Sequence, residues 1–151
     1  MDLDSLYQDV ILDHAKRKLN AGLRDPFAAE VHHVNPTCGD EVTLRVHLDG
    51  DGDRARVADI SYDALGCSIS TASASVMTEL LIGRPVAEAE TVLEEFLAMM
   101  RGKGRYEPDE DLLDDAVAFA GTARLSARVK CALLSWMAYQ DAVARAQEEP
   151  A

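Results

Sequence analysis

Four residues in this chain offer ligand chemistry: the thiols of Cys38, Cys67 and Cys131, and the carboxylate of Asp40. Cys38 lies in Asn35-Pro36-Thr37-Cys38-Gly39-Asp40. Pro36 and Gly39 predict a turn there, which holds a thiol and a carboxylate close together at an accessible edge. Cys67 precedes a run of small residues, Ser68 to Ser75, that reads as the start of a helix. The partial positive charge of a helix start favours thiolate over thiol, and small side chains allow close backbone approach. Cys131 belongs to the last helical pattern. Val129, Ala132, Leu133, Trp136, Met137 and Gln140 trace a stripe expected to face the core. At about 100° per residue, Cys131 falls opposite the centre of that stripe, so it is expected off-core. Arg128 shares its side of the helix at i, i+3, whereas Lys130 does not face it.

Two readings of these residues stand open. Cysteine is among the most buried residue types, and nothing obliges three of them to meet. Gaps of 29 and 64 residues between them are no zinc-finger spacing and carry little specificity. The alternative is one shared site of three thiolates and Asp40, a four-donor set that suits tetrahedral Zn²⁺. A divalent cation would cancel only half the charge of such a set. Arg128 is placed to offset part of the remainder, although a solvated surface charge explains it equally well. Zinc would matter chemically, because a free thiol with pKa about 8.5 is mostly protonated at neutral pH and a bound one is already thiolate. The histidines add less. His14, His32, His33 and His47 each read as surface or satisfied residues, and His32 and His33 point to opposite faces of a strand.

The elements that must bring these residues together follow from length and pattern. A chain of 151 residues predicts a single domain, 1–151, able to bury most of its unfolded surface. Hydrophobic residues make up 48% and aromatics only 5%, so the core rests on Ala, Val, Leu, Ile and Met. The net charge of −12 argues against a nucleic-acid partner, which calls for a basic footprint. No apolar run approaches the ~18 residues of a membrane span. The acidic start Met1-Asp2-Leu3-Asp4 lacks the pattern of a secretory signal, and three cysteines suit a reducing compartment, so a cytoplasmic protein is expected.

Ser5 to Lys18 reads as a helix, with Asp4 or Ser5 as cap and Lys16-Arg17-Lys18 suiting its negative end. Strands are predicted over Glu30–Asn35, Glu41–Leu48 and Ala55–Tyr62. In the second, Leu44, Val46 and Leu48 alternate with Thr43, Arg45 and His47, and Asp49-Gly50-Asp51-Gly52 turns into the third. Helices are predicted over Ser68–Ile82, Val86–Met100, Asp109–Ala120 and Ser126–Ala146, with 147–151 as a frayed tail. The acidic run from Glu107 to Asp115 reads as a solvated helix start. The order α-β-β-β-α-α-α-α predicts an α+β domain in which helices pack on a small antiparallel sheet.

Four motifs in this order carry a resemblance. They are Leu6-Tyr7-x-x-Val10-Ile11-x-Asp13-His14, Asn35-Pro36-x-Cys38-Gly39-Asp40, Gly66-Cys67-x-Ile69-Ser70-x-Ala72-Ser73-Ala74-Ser75 and Ala127-Arg128-Val129-Lys130-Cys131. Together, from Leu6 to about Tyr139, they resemble the SufU branch of the IscU-like iron–sulfur assembly family. The resemblance implies an α+β fold with a three-stranded antiparallel sheet. It implies zinc bound at Cys38, Asp40, Cys67 and Cys131, with Arg128 in the functional set. It also implies that Cys38 accepts sulfane sulfur from the persulfide of a PLP-dependent cysteine desulfurase of SufS type, a histidine of which replaces Cys38 on zinc. Downstream iron–sulfur assembly proteins would be further partners.

Lys130 stands where IscU scaffolds carry histidine, and Leu125 to Lys130 lacks their Leu-Pro-Pro-Val-Lys stretch; the long gap from Cys67 to Cys131 fits the SufU insertion. Two departures from the family pattern are Lys18-Leu19 in place of Pro-Arg, and Ala64 in place of the first glycine before Cys67. A scaffold for a nascent 2Fe–2S cluster uses the same residues and is the alternative function, with iron or a transient cluster as the alternative cofactor. A purely structural zinc domain is a third reading.

Overall fold

The computed structural model describes residues 3–37 and 39–148. Cys38 therefore lies outside the described residues, as does the end of the expected frayed tail. A helix α1 (Leu3–Arg17) is followed by strands β1 (Ala29–Asn35), β2 (Asp40–Asp49) and β3 (Arg56–Leu65). Helices α2 (Ser68–Leu81), α3 (Val86–Arg101), the single-turn α4 (Glu110–Leu113) and α5 (Ser126–Glu148) complete it. The strands form one antiparallel sheet in the order β1-β2-β3. The expected α+β architecture is what the chain adopts.

Alternation along β2 sets the layers. Asp40, Val42, Leu44 and Val46 are buried, whereas Glu41, Thr43, Arg45 and His47 are partly exposed. The buried face receives α5, which lies across β1 and β2, while α2 packs beside β3. Asp40 is thus a carboxylate on the core side of the sheet, at the very start of a strand. The turn between Asp49 and Arg56 is longer than the two glycines suggest: Gly50 and Gly52 both take positive φ, and a 3-10 turn fills Gly52–Arg54.

The third layer is closed by aromatics. Trp136 of α5 stacks on Phe96 of α3 with centroids 4.1 Å apart and planes at 8°. Phe119 meets Phe96 edge-on at 6.0 Å. All three rings are fully buried, so three of the chain's few aromatics pin α3, α5 and the segment between them.

Three expectations change. The helix over Asp109–Ala120 is instead α4 followed by a 3-10 segment, Asp114–Ala120. Asp109 caps α4 by accepting from the N–H groups of Asp111 and Leu112, and Asp114 then takes φ 48 and ends it. Leu113, Ala116 and Phe119, all fully buried, recur every three residues, which is the 3-10 period.

The α5 stripe also shifts. Cys131 is 3% exposed, and the buried arc of Cys131, Ala132, Ser135, Ala138, Tyr139 and Ala142 centres near Ser135. Gln140 is exposed, and Val129, Leu133 and Met137 are only partly buried. Packing of α5 on both the sheet and α2 widens the buried arc beyond one stripe, enclosing Trp136 and Tyr139 together with the small residues. Cys131 is a core-facing residue. Finally, α1 begins at Leu3, with Ser5 inside it, and Lys18 leaves it with φ 46. A proline ring forbids that angle, so the exit of α1 depends on the departure at Lys18.

Candidate metal centre

Three chain segments meet at one end of the sheet. The β1–β2 turn delivers Asp40: Asn35 Oδ1 accepts the Thr37 N–H at 3.1 Å, its carbonyl accepts the Gly39 N–H at 2.8 Å, and Gly39 takes φ +76. That Asx-type turn is what Asn-Pro-x-x-Gly favours. The junction of β3 and α2 delivers Cys67 as the N-cap residue of α2. The first turns of α5 deliver Cys131. The donor atoms of Asp40, Cys67 and Cys131 all lie within 4.8 Å of one another.

Hydrogen bonds fix this arrangement. Asp40 Oδ1 accepts the backbone N–H of Cys67 at 3.1 Å. Asp40 Oδ2 lies 3.6 Å from Cys67 Sγ and accepts the hydroxyl proton of Ser70. Cys131 Sγ lies 3.8 Å from the carbonyl of Ala127, one turn back on its helix. Asp40 is 3% exposed and Cys67 partly exposed, so the oxygen is shielded while one sulfur reaches solvent. Their common opening is a cavity of about 400 Å³, lined by Gly39, Asp40, Cys67, Arg128 and Cys131 among others.

The donor chemistry fits zinc. Ligands about 2.0–2.3 Å from one tetrahedral ion stand roughly 3.5–4 Å apart, and two sulfurs with a carboxylate oxygen are a borderline-soft set that zinc accepts. Gly66 also fits: a Cβ there would stand 2.6 Å from Asp40 Oδ1, so only glycine lets the carboxylate approach the start of α2. Of the four ligands expected from sequence, the structure brings three together. The fourth, Cys38, lies outside the described residues, between Thr37 and Gly39 of the turn. Arg128 is exposed and lines the cavity, but its guanidinium makes no hydrogen bond or ion pair among the described residues.

The histidines lie elsewhere. His14 is fully buried; its Nδ1 is 2.9 Å from Ser75 Oγ and its Nε2 3.1 Å from Asp115 Oδ2, with Glu79 at 3.5 Å. His33 faces Asp141 of α5 at 2.9 Å. His32 is exposed on the other face and meets Thr43. These three are satisfied residues, as expected, whereas His47 has its Nδ1 buried with no hydrogen-bond partner among the described residues. Sequence reasoning missed Ser70 and Gly66. The signals were a serine one turn after Cys67 and a glycine just before it, both inside a motif already singled out for its small residues.

The comparisons with known proteins agree with this geometry. Residues 6–132 match the NifU-like N terminal domain. The zinc-dependent sulfurtransferase SufU of Bacillus subtilis is 42% identical over 145 residues, covering 95% of this chain and 93% of that one. The iron-sulfur cluster assembly scaffold protein IscU of Streptococcus pyogenes is 38% identical, with 95% and 86% covered. A crystal structure of a candidate SUF-system scaffold from Fervidobacterium islandicum superposes with a TM-score of 0.81 at 33% identity, covering 94% of this chain and 99% of the other. With residues 6–132 matched by that model and these relatives aligned over nearly the full length, this chain belongs to the NifU-like N-terminal domain family.

Proposed function

We propose that this chain is a zinc-dependent sulfurtransferase of iron–sulfur cluster assembly. In this reading it accepts persulfide sulfur from a PLP-dependent cysteine desulfurase of SufS type. The observation that carries it is the meeting of one carboxylate and two thiols from three distant segments in one cavity, in a chain 42% identical to a zinc-dependent sulfurtransferase. Asp40, Cys67 and Cys131 hold the ion, with Cys38 as fourth ligand. Bound zinc supplies charge that keeps its thiol ligands deprotonated at neutral pH.

The chain's own residues divide the work. Cys38 is the acceptor. Its thiolate attacks the terminal sulfur of the donor's cysteine persulfide, and the donor's S–S bond breaks. The donor cysteine leaves as a thiolate and the terminal sulfur stays on Cys38 as a persulfide, with no net oxidation. Arg128 stands at the mouth of the same cavity, where its fixed positive charge favours an incoming persulfide anion. On either side of Cys38, Asn35 accepts from Thr37 and Gly39 and Asp40 is buried, so the flanking residues are tied to the sheet.

The test is cysteine-desulfurase turnover with and without this protein, using zinc-loaded and chelated samples. Stimulation by the zinc-loaded chain and none by Cys38→Ala is the expected result; full stimulation by Cys38→Ala refutes the acceptor role. The scaffold reading is favoured by the 38% identity to an IscU scaffold protein and by the likeness to a candidate SUF-system scaffold structure. Anaerobic purification separates the two: stoichiometric zinc with colourless protein supports sulfur transfer, and brown protein supports cluster assembly. Among the described residues no helix is long and apolar enough to cross a membrane.

A further inference from the structure

We infer that Ser70 is a positioning residue for this metal centre, its hydroxyl holding the Asp40 carboxylate with Oδ2 turned toward the sulfurs. The inference rests on the zinc reading above and extends it to a residue that no ligand set includes. Ser70 sits in the first turn of α2, three residues after the N-cap Cys67, and is 6% exposed. One turn of helix therefore brings its Oγ back over the helix start, 3.7 Å from Cys67 Sγ and in hydrogen-bond contact with Asp40 Oδ2.

The two carboxylate oxygens are held differently. Oδ1 is engaged by the Cys67 N–H, a backbone donor that stays whatever the state of the thiols. Oδ2 faces Cys67 Sγ at 3.6 Å, a contact in which the thiol must donate. The Ser70 hydroxyl donates to Oδ2, the oxygen that faces the sulfur. A carboxylate oxygen carries two acceptor positions, so Oδ2 accepts from Ser70 and still presents a lone pair to a cation. Ser70 thus fixes the orientation of a ligand in the way that outer partners of metal sites commonly do.

The experiment is zinc competition against a chromophoric chelator for the full chain and for Ser70→Ala, Asp40→Ala and the double variant. Ser70→Ala is expected to weaken zinc about 10- to 100-fold. In the Asp40→Ala background the same change is expected to act within about twofold, the scatter of independent sites. Cobalt substitution gives a second readout: the ligand-field bands of Ser70→Ala shift from wild type, and those of the double variant match Asp40→Ala. Should Ser70→Ala fail to fold, the isosteric pair Ser70→Thr and Ser70→Val repeats the comparison with and without the hydroxyl. Wild-type affinity in Ser70→Ala, an equal loss in the Asp40→Ala background, or equal affinity of the Thr and Val variants overturns the inference alone. A wild-type chain that takes up no zinc overturns the zinc reading, and this inference with it.

Discussion

A methyl group added at Gly66 would stand 2.6 Å from Oδ1 and 2.8 Å from Cγ of Asp40, closer than side-chain carbons and carboxylates approach without moving. Because Asp40 is buried at the start of β2, the carboxylate has little room to give. Gly66→Ala is therefore expected to cost about 1–3 kcal/mol of stability in the metal-free protein, measured by urea unfolding, through overpacking. It is also expected to weaken zinc, because the displaced carboxylate turns away from Cys67. A variant with unchanged urea midpoint and zinc affinity would show that the site relaxes freely. At this scale the sequence was only partly legible. The turn chemistry of Asn35, Pro36 and Gly39 and the cap position of Cys67 followed from local rules. The face of Cys131 did not, since α5 is buried over an arc wider than a single apolar stripe predicts. Ser70 and Gly66 were hidden for a related reason: their roles depend on Asp40, roughly thirty residues away, and no local pattern encodes that distance.

Helix α2 shows how an element made of small residues can be the centre of a fold. Its buried polar side chains each reach a different neighbour. Ser70 holds Asp40 of β2, Ser73 bonds the Ala132 carbonyl of α5 at 2.6 Å and receives the Trp136 indole N–H at 3.0 Å, and Ser75 holds His14 of α1. Polar groups buried this densely cost energy unless satisfied, so each bond fixes register as well as contact. His14 carries the heaviest share, since it joins α1 to α2 through Nδ1 and to the 3-10 segment through Nε2. His14→Ala is expected to lower stability by about 2–4 kcal/mol, from the cavity plus the loss of its bonds to Ser75 and Asp115. Thermal unfolding checks the size, and hydrogen exchange checks the place: protection is expected to fall first in α1 and in 114–120. A uniform loss across the sheet would contradict the local tie. Element types and order were legible because strands alternate and helices carry caps. The 3-10 segment was not, although Leu113, Ala116 and Phe119 repeat at its period, because three positions spaced by three also fit the edge of an α-helix.

For the molecule as a whole, the order of elements was enough to predict the α+β fold. The response to high pH needs the packed structure, because it depends on which tyrosines the core encloses. Tyr62 of β3 is 1% exposed and Tyr139 of α5 is 2% exposed. Burial disfavours the phenolate of each, pushing Tyr62 up to about 12 and Tyr139 higher still, with Glu90 adding to the latter. In the unfolded chain both return to about 10. The folded state therefore binds more protons than the unfolded state between those values, and the slope of stability against pH is negative there. The tyrosine contribution is fully present below pH about 10 and is lost as pH rises toward the folded values. Urea unfolding of the zinc-loaded protein at a series of pH values is expected to show this loss, and Tyr62→Phe is expected to lose less stability than wild type over the same range. The phenyl ring keeps the ring packing and removes only the titrating hydroxyl. If both proteins lose stability with the same slope, the alkaline limit of this fold lies in other groups, and the buried hydroxyl of Tyr62 does not set it.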